Sequence, residues 1–555
     1  MGSQSFAQRL RALSADWRVL WLLVLLPVAL FQPALPIDET RYLAVAWEMH
    51  FRGDYLQLHL NGGPYSEKGP LLFWLINFAW LVAGLHVWIV RIGVLAASFA
   101  SLVLFERLVR RLDPDPRLGS RAAILLAGVI SFAVFAVAIM FDALVTTFVL
   151  IALHGVLDLD ARRWRRGVLL LAAGFGLGLL TKGPVVLLDA GLVALLGPWW
   201  SETSRVAKGR WYGAIGLGLL GGLAIALVWA LAAYGVHGFW ETVVLRQTVG
   251  RVTRSFAHAR PFWWYFMILP LMLLPWTLTL RASWHTWRDR IAATKASRFG
   301  VAWFVPAFVV FCFFSGKQMH YLLPILPGLM IYLAGVLGSP DARLRPRLFG
   351  ALLLPVGIAL ALLPYFAANA TNVDRIARAV KALSLNESTL RVFATFWPLW
   401  GLIAAAIGLW LLLRAEVSAP RLALAGTAVG AAGMLAIAQG VGPFVDVSAT
   451  AQRIKEIQDS GRPIAHLAAH HGLFELPGRL TQPLPIIDFG HLNAWCAAHP
   501  DGAIVTFYTK YPITAKPEQE VPYRFGRITF WRAADILAMP APTKPVNDDD
   551  DSPDD

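Results

Sequence analysis

The sequence predicts a polytopic α-helical membrane protein, and three observations lead to that fold class. Of the 555 residues, 57% are hydrophobic, only 15% are charged, and 23 are tryptophans. The hydrophobic residues form many long runs, and arginines collect between those runs. Only helices and closed barrels satisfy their backbone polar groups in lipid, and apolar runs of about twenty residues are typical of membrane-spanning helices.

The arginine clusters orient these helices. Because arginine-rich loops remain on the cytoplasmic side, all clusters can lie there if the N-terminus is cytoplasmic and about thirteen helices cross the membrane. Basic residues before the first run and the lack of a small-residue cleavage signal predict a retained first span. The predicted spans are 18–36, 87–106, 121–139, 142–160, 166–181, 184–200, 211–235, 261–280, 299–316, 321–338, 348–367, 393–413 and 422–441.

Three outer loops interrupt this transmembrane region, residues 1–441, at about 37–86, 236–260 and 368–392. Residues 70–85 are apolar, but a span there would invert every later loop, so we predict an amphipathic or re-entrant interfacial helix. The stretch Ile37–Arg52 has helical propensity and ends at Gly53, which is typical of a helix C-terminus.

A second, smaller domain follows the last span. Residues 442–540 contain one helical stretch, 449–459, and short β-like runs at 463–467, 503–508 and 527–531, which predict a periplasmic α/β domain. It could serve as a lid, an acceptor-docking module or a structural cap, and the pair His470-His471 is predicted to lie at its surface. Residues 541–555 form an acidic tail that we predict to be disordered.

The charge and the cysteines exclude other classes of protein. The net charge of +14 would suggest nucleic acid in a soluble protein, but here the arginines orient spans, so no nucleic-acid partner is expected. The two thiols, Cys312 and Cys496, are far apart in the sequence and form neither a disulfide framework nor a metal motif.

The unusual polar residues collect at the outer ends of the predicted spans. Each ionisable residue at membrane depth costs about 2.5 to 3.5 kcal/mol on insertion, so their accumulation on one face predicts a polar cavity. The alternative is that interfacial charges merely anchor helix ends. These residues are Asp38, Glu39, Arg41, Glu67, Lys68, Asp142, Lys182, His258, Lys317, His320 and Tyr321.

Six motifs occur in the order of a known family. They are Asp38-Glu39-Thr40-Arg41-Tyr42, Tyr65-Ser66-Glu67-Lys68-Gly69-Pro70, Met140-Phe141-Asp142, Thr181-Lys182-Gly183-Pro184, Ala257-His258-Ala259-Arg260-Pro261 and Ser315-Gly316-Lys317-Gln318-Met319-His320-Tyr321. Over about residues 20–340 the chain resembles bacterial ArnT-type aminoarabinose transferases, which are GT-C glycosyltransferases related to protein O-mannosyltransferases. The family commonly has Glu-Lys-Pro where this chain has Glu67-Lys68-Gly69-Pro70, and the Lys317–Tyr321 loop also differs, which leaves the sugar and the acceptor open.

The resemblance implies a GT-C fold in the bacterial inner membrane with a cytoplasmic N-terminus and a periplasmic C-terminal domain. It implies that a sugar, such as 4-amino-4-deoxy-L-arabinose or a relative, moves with inversion from undecaprenyl phosphate to lipid A or another envelope glycan. Protein O-mannosylation with the same donor class is the alternative among enzymes. A lipid or sugar transporter is the alternative of another class, although transporters usually bind substrate near the bilayer midplane between repeated halves.

The chemistry of the residues suits such a transfer. A cation at the departing lipid phosphate acts most strongly in the transition state, which makes Lys68 a catalytic candidate. Asp38 could take the proton of an acceptor hydroxyl, with Asp142 in a supporting role. If the acceptor is a phosphate, Asp38 only orients the substrate. Predicted substrate-binding residues are Glu39, Arg41, Tyr65, Lys182, Arg260, Lys317, His320 and Tyr321.

A metal site stays open at this point. Glu67 and His258 match positions that ligate a metal in the family, and carboxylate and imidazole are ordinary ligands of zinc. Two ligands alone do not make a tight site. The alternative for His258 is an interfacial polar residue or a phosphate donor.

Overall fold

The computed structural model describes residues 16–238, 259–382, 387–507, 513–524 and 526–539. The chain forms two compact units, of which the first comprises Met1–Gln32, Ser66–Leu360 and Leu399–Leu435 and the second Pro33–Tyr65, Ala361–Pro398 and Ala436–Asp555. His258, most of the outer loop at 236–260 and the acidic tail lie outside the described residues.

Six helices of the described chain are long and apolar enough to cross a membrane: Val87–Leu112, Asp142–Asp160, Lys208–Gly235, Lys295–Phe313, Arg347–Ala368 and Ala419–Gly440. A bent pair, Thr389–Thr395 and Pro398–Leu412, counts as a seventh if it forms one span. The described chain also contains three shorter apolar helices, Trp17–Phe31, Leu71–Ala83 and Leu326–Leu337. The multi-pass character predicted from the apolar runs is thereby confirmed.

The span predicted at 166–181 is the continuous helix Trp164–Lys182 of 19 residues, whereas other predicted spans coincide with helices that are broken or shorter than a full span. The remaining elements of the membrane region are Pro116–Ala127, Ile130–Phe135, Trp164–Lys182, the π-helical turn Leu187–Gly191, Leu192–Leu195, Gly197–Trp200, Glu202–Val206, Trp264–Met272, Trp276–Thr279, Trp284–Asp289 and the 3₁₀ helix Met319–Leu322. The interfacial segment predicted at 70–85 is the helix Leu71–Ala83, whose 13 residues are fewer than the roughly twenty that a span requires.

The strands of the chain are β1 (His59–Leu60), β2 (Gly63–Pro64), β3 (Leu280–Arg281), β4 (Arg343–Leu344), β5 (Ile464–Leu467), β6 (Ile486–Ile487), β7 (Ala503–Phe507), β8 (Gln519–Tyr523) and β9 (Gly526–Arg532). The last five form one mixed sheet in the order β6-β5-β7-β9-β8, with β5 parallel to β6 and β7 and the other pairs antiparallel.

Two hydrophobic clusters cover the faces of this five-stranded sheet. The alternation along β7 places Val505 in one cluster and Ile504 in the other, as a period of two requires. Besides the strands, the helix Ser448–Asp459 contributes residues to the first cluster, and the helices Leu492–Ala498 and Ala533–Leu537 contribute residues to the second. The short helices Gly442–Val445, Asp374–Ala382, Glu387–Thr395 and Glu475–Gly478 and the 3₁₀ turn Phe489–His491 complete the second unit.

The loop that follows the first apolar helix also belongs to the second unit. Its helix, Asp38–Arg52, ends at Gly53 with φ 68°, the left-handed conformation that glycine adopts without strain. The indole of Trp47 donates to the carbonyl oxygen of Leu480 at 2.7 Å, and the side-chain amide of Asn61 exchanges two hydrogen bonds with the backbone of Leu484. The early loop and the C-terminal domain therefore fold as one body.

His466, His470 and Glu475 are among the buried titratable groups of this unit. His470 is 3% exposed rather than on the surface as predicted from the sequence, and its Nδ1 lies 3.4 Å from the carboxylate of Glu475. Burial raises the pKa of Glu475 to about 8. Burial also lowers the pKa of His470, and it lowers the pKa of His466 to about 4. At neutral pH the imidazole and the carboxyl group are therefore both held uncharged.

We expect Glu475→Gln to remove a pH dependence of the second unit. The pKa of Glu475 rises from 4.5 in the unfolded chain to about 8 in the folded one. Its contribution to the free energy of unfolding is therefore complete below pH 4.5 and is lost as the pH rises through 8. Within that range the free energy of unfolding changes by up to about 1.4 kcal/mol per pH unit. The readout is alkylation of the buried thiol of Cys496 in a Cys312→Ala background, normalised at each pH to urea-unfolded protein.

Between about pH 5 and pH 8 the domain should open progressively more easily with Glu475 than with glutamine; the buried His466 and His470 add the same pH dependence to both proteins, so the difference between the two reports Glu475. The control is Glu456→Gln, on the exposed face of the helix Ser448–Asp459. A parallel pH dependence in all three proteins would show that Glu475 is ionised in the folded state.

Candidate functional site

The centre of the site in the first unit is a buried ion pair between two adjacent helices. Asp142 begins the helix Asp142–Asp160 and Lys182 ends the helix Trp164–Lys182. Each charge suits its own helix terminus, since carboxylates are stabilised at N-termini and ammonium groups at C-termini. The ammonium of Lys182 lies 2.7 Å from the carboxylate of Asp142, and the two side chains are 13% and 3% exposed.

Glycines let these two helices approach closely along their length. A Cβ at Gly155 would lie 2.8 Å from the carbonyl oxygen of Gly167, and one at Gly174 would lie 2.6 Å from the backbone nitrogen of Ala152. The pairing of later residues in one helix with earlier residues in the other shows that the helices are antiparallel. The Asp142 and Lys182 termini therefore meet at the same end of the bundle, as the topology from the arginines predicts.

The loop Ser315–Tyr321 adds two side chains to the ion pair. The Nε2 of His320 lies 3.9 Å from the carboxylate of Asp142, and the ammonium of Lys182 lies 4.6 Å from the ring centre of Tyr321. His320 is 8% exposed and Tyr321 is half-buried. Four residues that the sequence placed at outer helix ends thus meet in one cluster of carboxylate, ammonium, imidazole and phenol.

A second buried carboxylate accompanies this cluster and was missed in the sequence. Asp189 is fully buried in the π-helical turn Leu187–Gly191, within electrostatic range of Lys182 and Asp142. Neither of its oxygens has a hydrogen-bond partner among the described residues. Single π-helical turns are frequent at functional sites. The available signal was an acidic residue inside the apolar run at 184–196.

The loop that carries Lys68 is packed against the same helix end. Gly69 contacts the backbone so closely that a Cβ there would lie 2.0 Å from the carbonyl oxygen of Leu180, two residues before Lys182. Lys68 is half-buried and Glu67 is exposed just before the helix Leu71–Ala83. The glycine by which this chain departs from the family motif thus permits the close contact of this loop with the last turn of the helix Trp164–Lys182.

Gly69→Ala is expected to reduce activity and stability together. The added methyl group would meet a backbone atom, which cannot rotate away, and such overpacking costs about 1–3 kcal/mol. Thermal unfolding in detergent and a transfer assay should both show the defect. Gly93→Ala is the matched control, because nothing lies within 4 Å of that Cβ position; equal behaviour of the two variants would refute the close contact.

Arg260 and Lys317 lie close together, Arg260 before the helix Trp264–Met272 and Lys317 in the loop Ser315–Tyr321. The backbone nitrogen of Arg260 donates to Ser315 at 3.1 Å, and the ammonium of Lys317 donates to the carbonyl oxygens of Arg260, at 2.8 Å, and Phe314. The hydroxyl of the buried Tyr265 donates to the carbonyl oxygen of Gln318 at 3.1 Å. In this structure Lys317 therefore holds the backbone, while the Arg260 side chain is exposed.

The remaining predicted residues lie in the second unit. Asp38 is the first residue of its helix, and its carboxylate accepts from Arg41 at 2.6 Å and from the hydroxyl of Tyr42 at 3.1 Å. Glu39 is buried and accepts from the backbone nitrogen of Leu35 at 2.7 Å. Tyr65 is buried after the β1-β2 hairpin. Asp38 and Arg41 thus form a local pair on one helical turn.

The metal site stays a prediction. In the described part of the chain, no group of three or more His, Cys, Asp or Glu residues converges as a metal site would require. Glu67 lies on an exposed loop, and His258 is outside the described residues. The described donor set therefore does not by itself fit a zinc site.

Arg91 is a further residue that the sequence did not single out. It is fully buried in the helix Val87–Leu112, and its guanidinium donates to the carbonyl oxygens of Gln32 at 3.1 Å and Val137 at 3.0 Å. These carbonyl groups belong to chain segments that leave helices, where backbone oxygens lack helical partners. Arg91 therefore ties together the ends of three segments of the first unit.

Sequence comparisons agree with this architecture. Residues 67–229 match the family described as dolichyl-phosphate-mannose-protein mannosyltransferase. The chain is 32% identical over 368 residues to an undecaprenyl phosphate-alpha-4-amino-4-deoxy-L-arabinose arabinosyl transferase of Pseudomonas aeruginosa UCBPP-PA14, covering 62% of this chain and 64% of that protein. A protein of the same name from Edwardsiella ictaluri is 31% identical to this chain over 329 residues, which cover 57% of each chain. The match thus spans less than two thirds of these relatives' length.

Structural comparison extends the match over most of the chain. ArnT from Cupriavidus metallidurans in the apo state superposes with a TM-score of 0.68 at 19% identity, covering 97% of this chain and all of the other. The same protein bound to undecaprenyl phosphate gives a TM-score of 0.68 at 18% identity. The resemblance inferred from the six motifs is confirmed: the chain is similar in sequence to the ArnT-type aminoarabinose transferases and has the GT-C fold of ArnT.

Proposed function

We propose that this protein is an inverting glycosyltransferase that moves a sugar from undecaprenyl phosphate to lipid A or another envelope glycan. The observation that carries the proposal is the buried Asp142–Lys182 pair with His320 and Tyr321 beside it. A buried charged cluster at the ends of membrane helices is costly and is typical of a functional site. The relatives named as arabinosyl transferases support the donor class and the sugar.

The reaction is a displacement at the anomeric carbon of the donor. The acceptor oxygen forms a bond to that carbon while the bond to the phosphate oxygen breaks, and the lipid phosphate leaves as an anion. Lys68 stabilises the negative charge that develops on the leaving oxygen. Asp38 accepts the proton of the acceptor hydroxyl, and Asp142 holds Lys182 in place through their ion pair. Glu39, Arg41, Tyr65, Arg260, Lys317, His320 and Tyr321 bind the two substrates.

The proposed membrane arrangement has thirteen spans, a cytoplasmic N-terminus and a periplasmic C-terminal domain in the bacterial inner membrane. The two ends of the helix Asp142–Asp160 support it. Asp142 lies at one end, and Asp158 is paired with Arg111 and Arg166 at the other, about 24 Å away along the helix. Arginines thus lie opposite the candidate site, as the positive-inside rule requires of a periplasmic reaction centre.

Two other functions make different predictions for a purified protein. A protein O-mannosyltransferase-like enzyme is favoured by the family that matches residues 67–229, and it would glycosylate Ser/Thr peptides. A lipid or sugar transporter would move the donor without cleaving it.

The deciding experiment incubates the reconstituted protein with an undecaprenyl-phosphate-linked aminoarabinose donor and either lipid A or a Ser/Thr peptide. We expect the mass of one sugar to be added to lipid A only. Sugar on the peptide alone would support the mannosyltransferase-like alternative, and a donor that stays intact with both acceptors and with an extract of envelope glycans would contradict a transferase. Mass spectrometry of lipid A and envelope glycans from cells with and without the gene identifies the sugar and acceptor together.

A further inference from the structure

A cavity lined by arginines lies at the end of the first unit that carries Asp158, away from Asp142. It has a volume of about 500 Å³ and is formed where the helices Val87–Leu112, Asp142–Asp160 and Trp164–Lys182 come together. Five guanidinium groups line it against one carboxylate. Positive charge so far in excess of negative charge attracts anions.

A buried carboxylate holds two of these arginines in place. Asp158 is fully buried, and its two oxygens pair with Arg111 at 2.5 Å and with Arg166 at 2.9 Å. Arg111 also donates to the backbone oxygen of His154 at 3.3 Å. Two walls of the cavity are therefore ordered by contacts within the protein, which lowers the entropy that a ligand must remove on binding.

The positive charges of two other arginines in the cavity are not compensated by a carboxylate among the described residues. Arg107 and Arg163 are exposed in the cavity, and neither pairs with a carboxylate within the described ranges. Guanidinium groups form bidentate hydrogen bonds with oxyanions such as phosphate and are weakly hydrated, so two of them without a carboxylate partner favour a phosphate group over a halide.

The inner part of the cavity is apolar. Leu104, Ile151 and Leu170 contribute its hydrophobic lining, and they lie on the three helices that form it. A free phosphate ion would gain nothing from these side chains. A ligand with a phosphate at one end and hydrocarbon at the other would use both parts of the lining.

We propose that this cavity binds the headgroup and first acyl carbons of an anionic phospholipid from the membrane leaflet on the arginine-rich side. The lipid phosphate contacts Arg107 and Arg163, and the acyl carbons contact Ile151 and its two leucine neighbours. The cavity is separate from the candidate transfer site, since the two lie at opposite ends of the helix Asp142–Asp160. Lipid bound here acts as a structural ligand of the helix bundle.

The test is native mass spectrometry of the full-length protein released from micelles that contain dioleoylphosphatidylglycerol or dioleoylphosphatidylcholine. We expect retention of phosphatidylglycerol but not of phosphatidylcholine. Arg107→Gln/Arg163→Gln should lower phosphatidylglycerol retention by roughly tenfold or more, at about 1 kcal/mol for each arginine. The matched control is Arg117→Gln/Arg205→Gln, two exposed arginines outside this cavity.

A second variant separates lipid from phosphate. Ile151→Trp fills the apolar part and keeps all five arginines, so it should abolish lipid retention while leaving the net charge unchanged. It also serves as the test if the double arginine variant does not fold. Equal retention by the wild type and Ile151→Trp, equal loss in the control, or displacement of the lipid by millimolar inorganic phosphate would overturn the proposal.

Sugar transfer provides an independent readout. Transfer measured in phospholipid-free detergent should be the same in the wild type, the cavity variants and the control, because none of the substituted residues lies in the transfer site. Failure of the proposed transferase activity would leave the lipid measurement intact.

Discussion

Asp142→Asn is expected to abolish sugar transfer and to destabilise the protein, because it leaves Lys182 as a buried cation without its carboxylate. The ammonium nitrogen of Lys182 lies 2.7 Å from the carboxylate of Asp142, and both side chains are nearly inaccessible to solvent. Removing one member of a buried pair costs about 3–5 kcal/mol, whereas removing both charges costs much less. Lys182→Met should be similarly destabilising, and Asp142→Asn/Lys182→Met should regain most of the stability without regaining activity.

The measurement is a double-mutant cycle in thermal unfolding, run beside the transfer assay on the same preparations. Asp158→Asn is the matched control, because it removes an equally buried carboxylate from the same helix at the far end. That variant should lose stability but retain transfer per folded molecule. Full transfer by Asp142→Asn would exclude this pair from the reaction.

Asp38→Ala and Lys68→Ala are each expected to abolish transfer with folding intact. Loss of a general base costs about 10²–10⁴-fold in rate, and loss of a group that stabilises a developing anion costs about 10²–10³-fold. The isosteric Asp38→Asn can still accept hydrogen bonds from Arg41 and Tyr42, which Asp38 receives at 2.6 and 3.1 Å. It therefore separates proton transfer from a structural role of the same side chain.

The controls for this pair are Asp459→Ala and Lys381→Ala, which remove exposed charges from other helices of the second unit. Rates should be compared with a hydroxyl acceptor and with a phosphate acceptor. A phosphate is already an oxyanion, so Asp38→Asn should spare the second reaction if Asp38 is a base. Full transfer activity in both alanine variants would contradict the assignment of Asp38 and Lys68 as catalytic residues.

The sequence predicts which residues meet at the site better than it predicts how they meet. Arginine placement put Asp142, Lys182, His320 and Tyr321 at one membrane face, and the structure brings them together. The assignment to one membrane face succeeds because a charged residue at the end of an apolar run stands out in the hydropathy profile. The ion pairs and ring contacts cannot be predicted in this way, since they depend on which helices are neighbours. Asp189 escaped notice because a single acid barely changes the mean of an apolar run.

Backbone packing was also beyond prediction from one sequence. The glycine in Glu67-Lys68-Gly69-Pro70 looked like an insertion, whereas its role is a close approach to the carbonyl oxygen of Leu180. In the C-terminal domain the apolar runs at β5, β7 and β9 were recognised, but β6 has two residues and β8 contains Pro522. Strands of that kind are specified by their neighbours in the sheet rather than by local propensity.

The hydrogen bond from Trp47 to Leu480 joins residues that are 433 positions apart, and this sets an order of events during biosynthesis. The helix with Asp38 is translated among the first elements, but the backbone against which it docks is translated among the last. The membrane spans are synthesised before the segment with Leu480, so this helix lacks its docking partner during that time. The docking contact of this helix can therefore form only after the final domain has been synthesised, and a chain interrupted after the last predicted span would lack the backbone against which the helix with Asp38 packs.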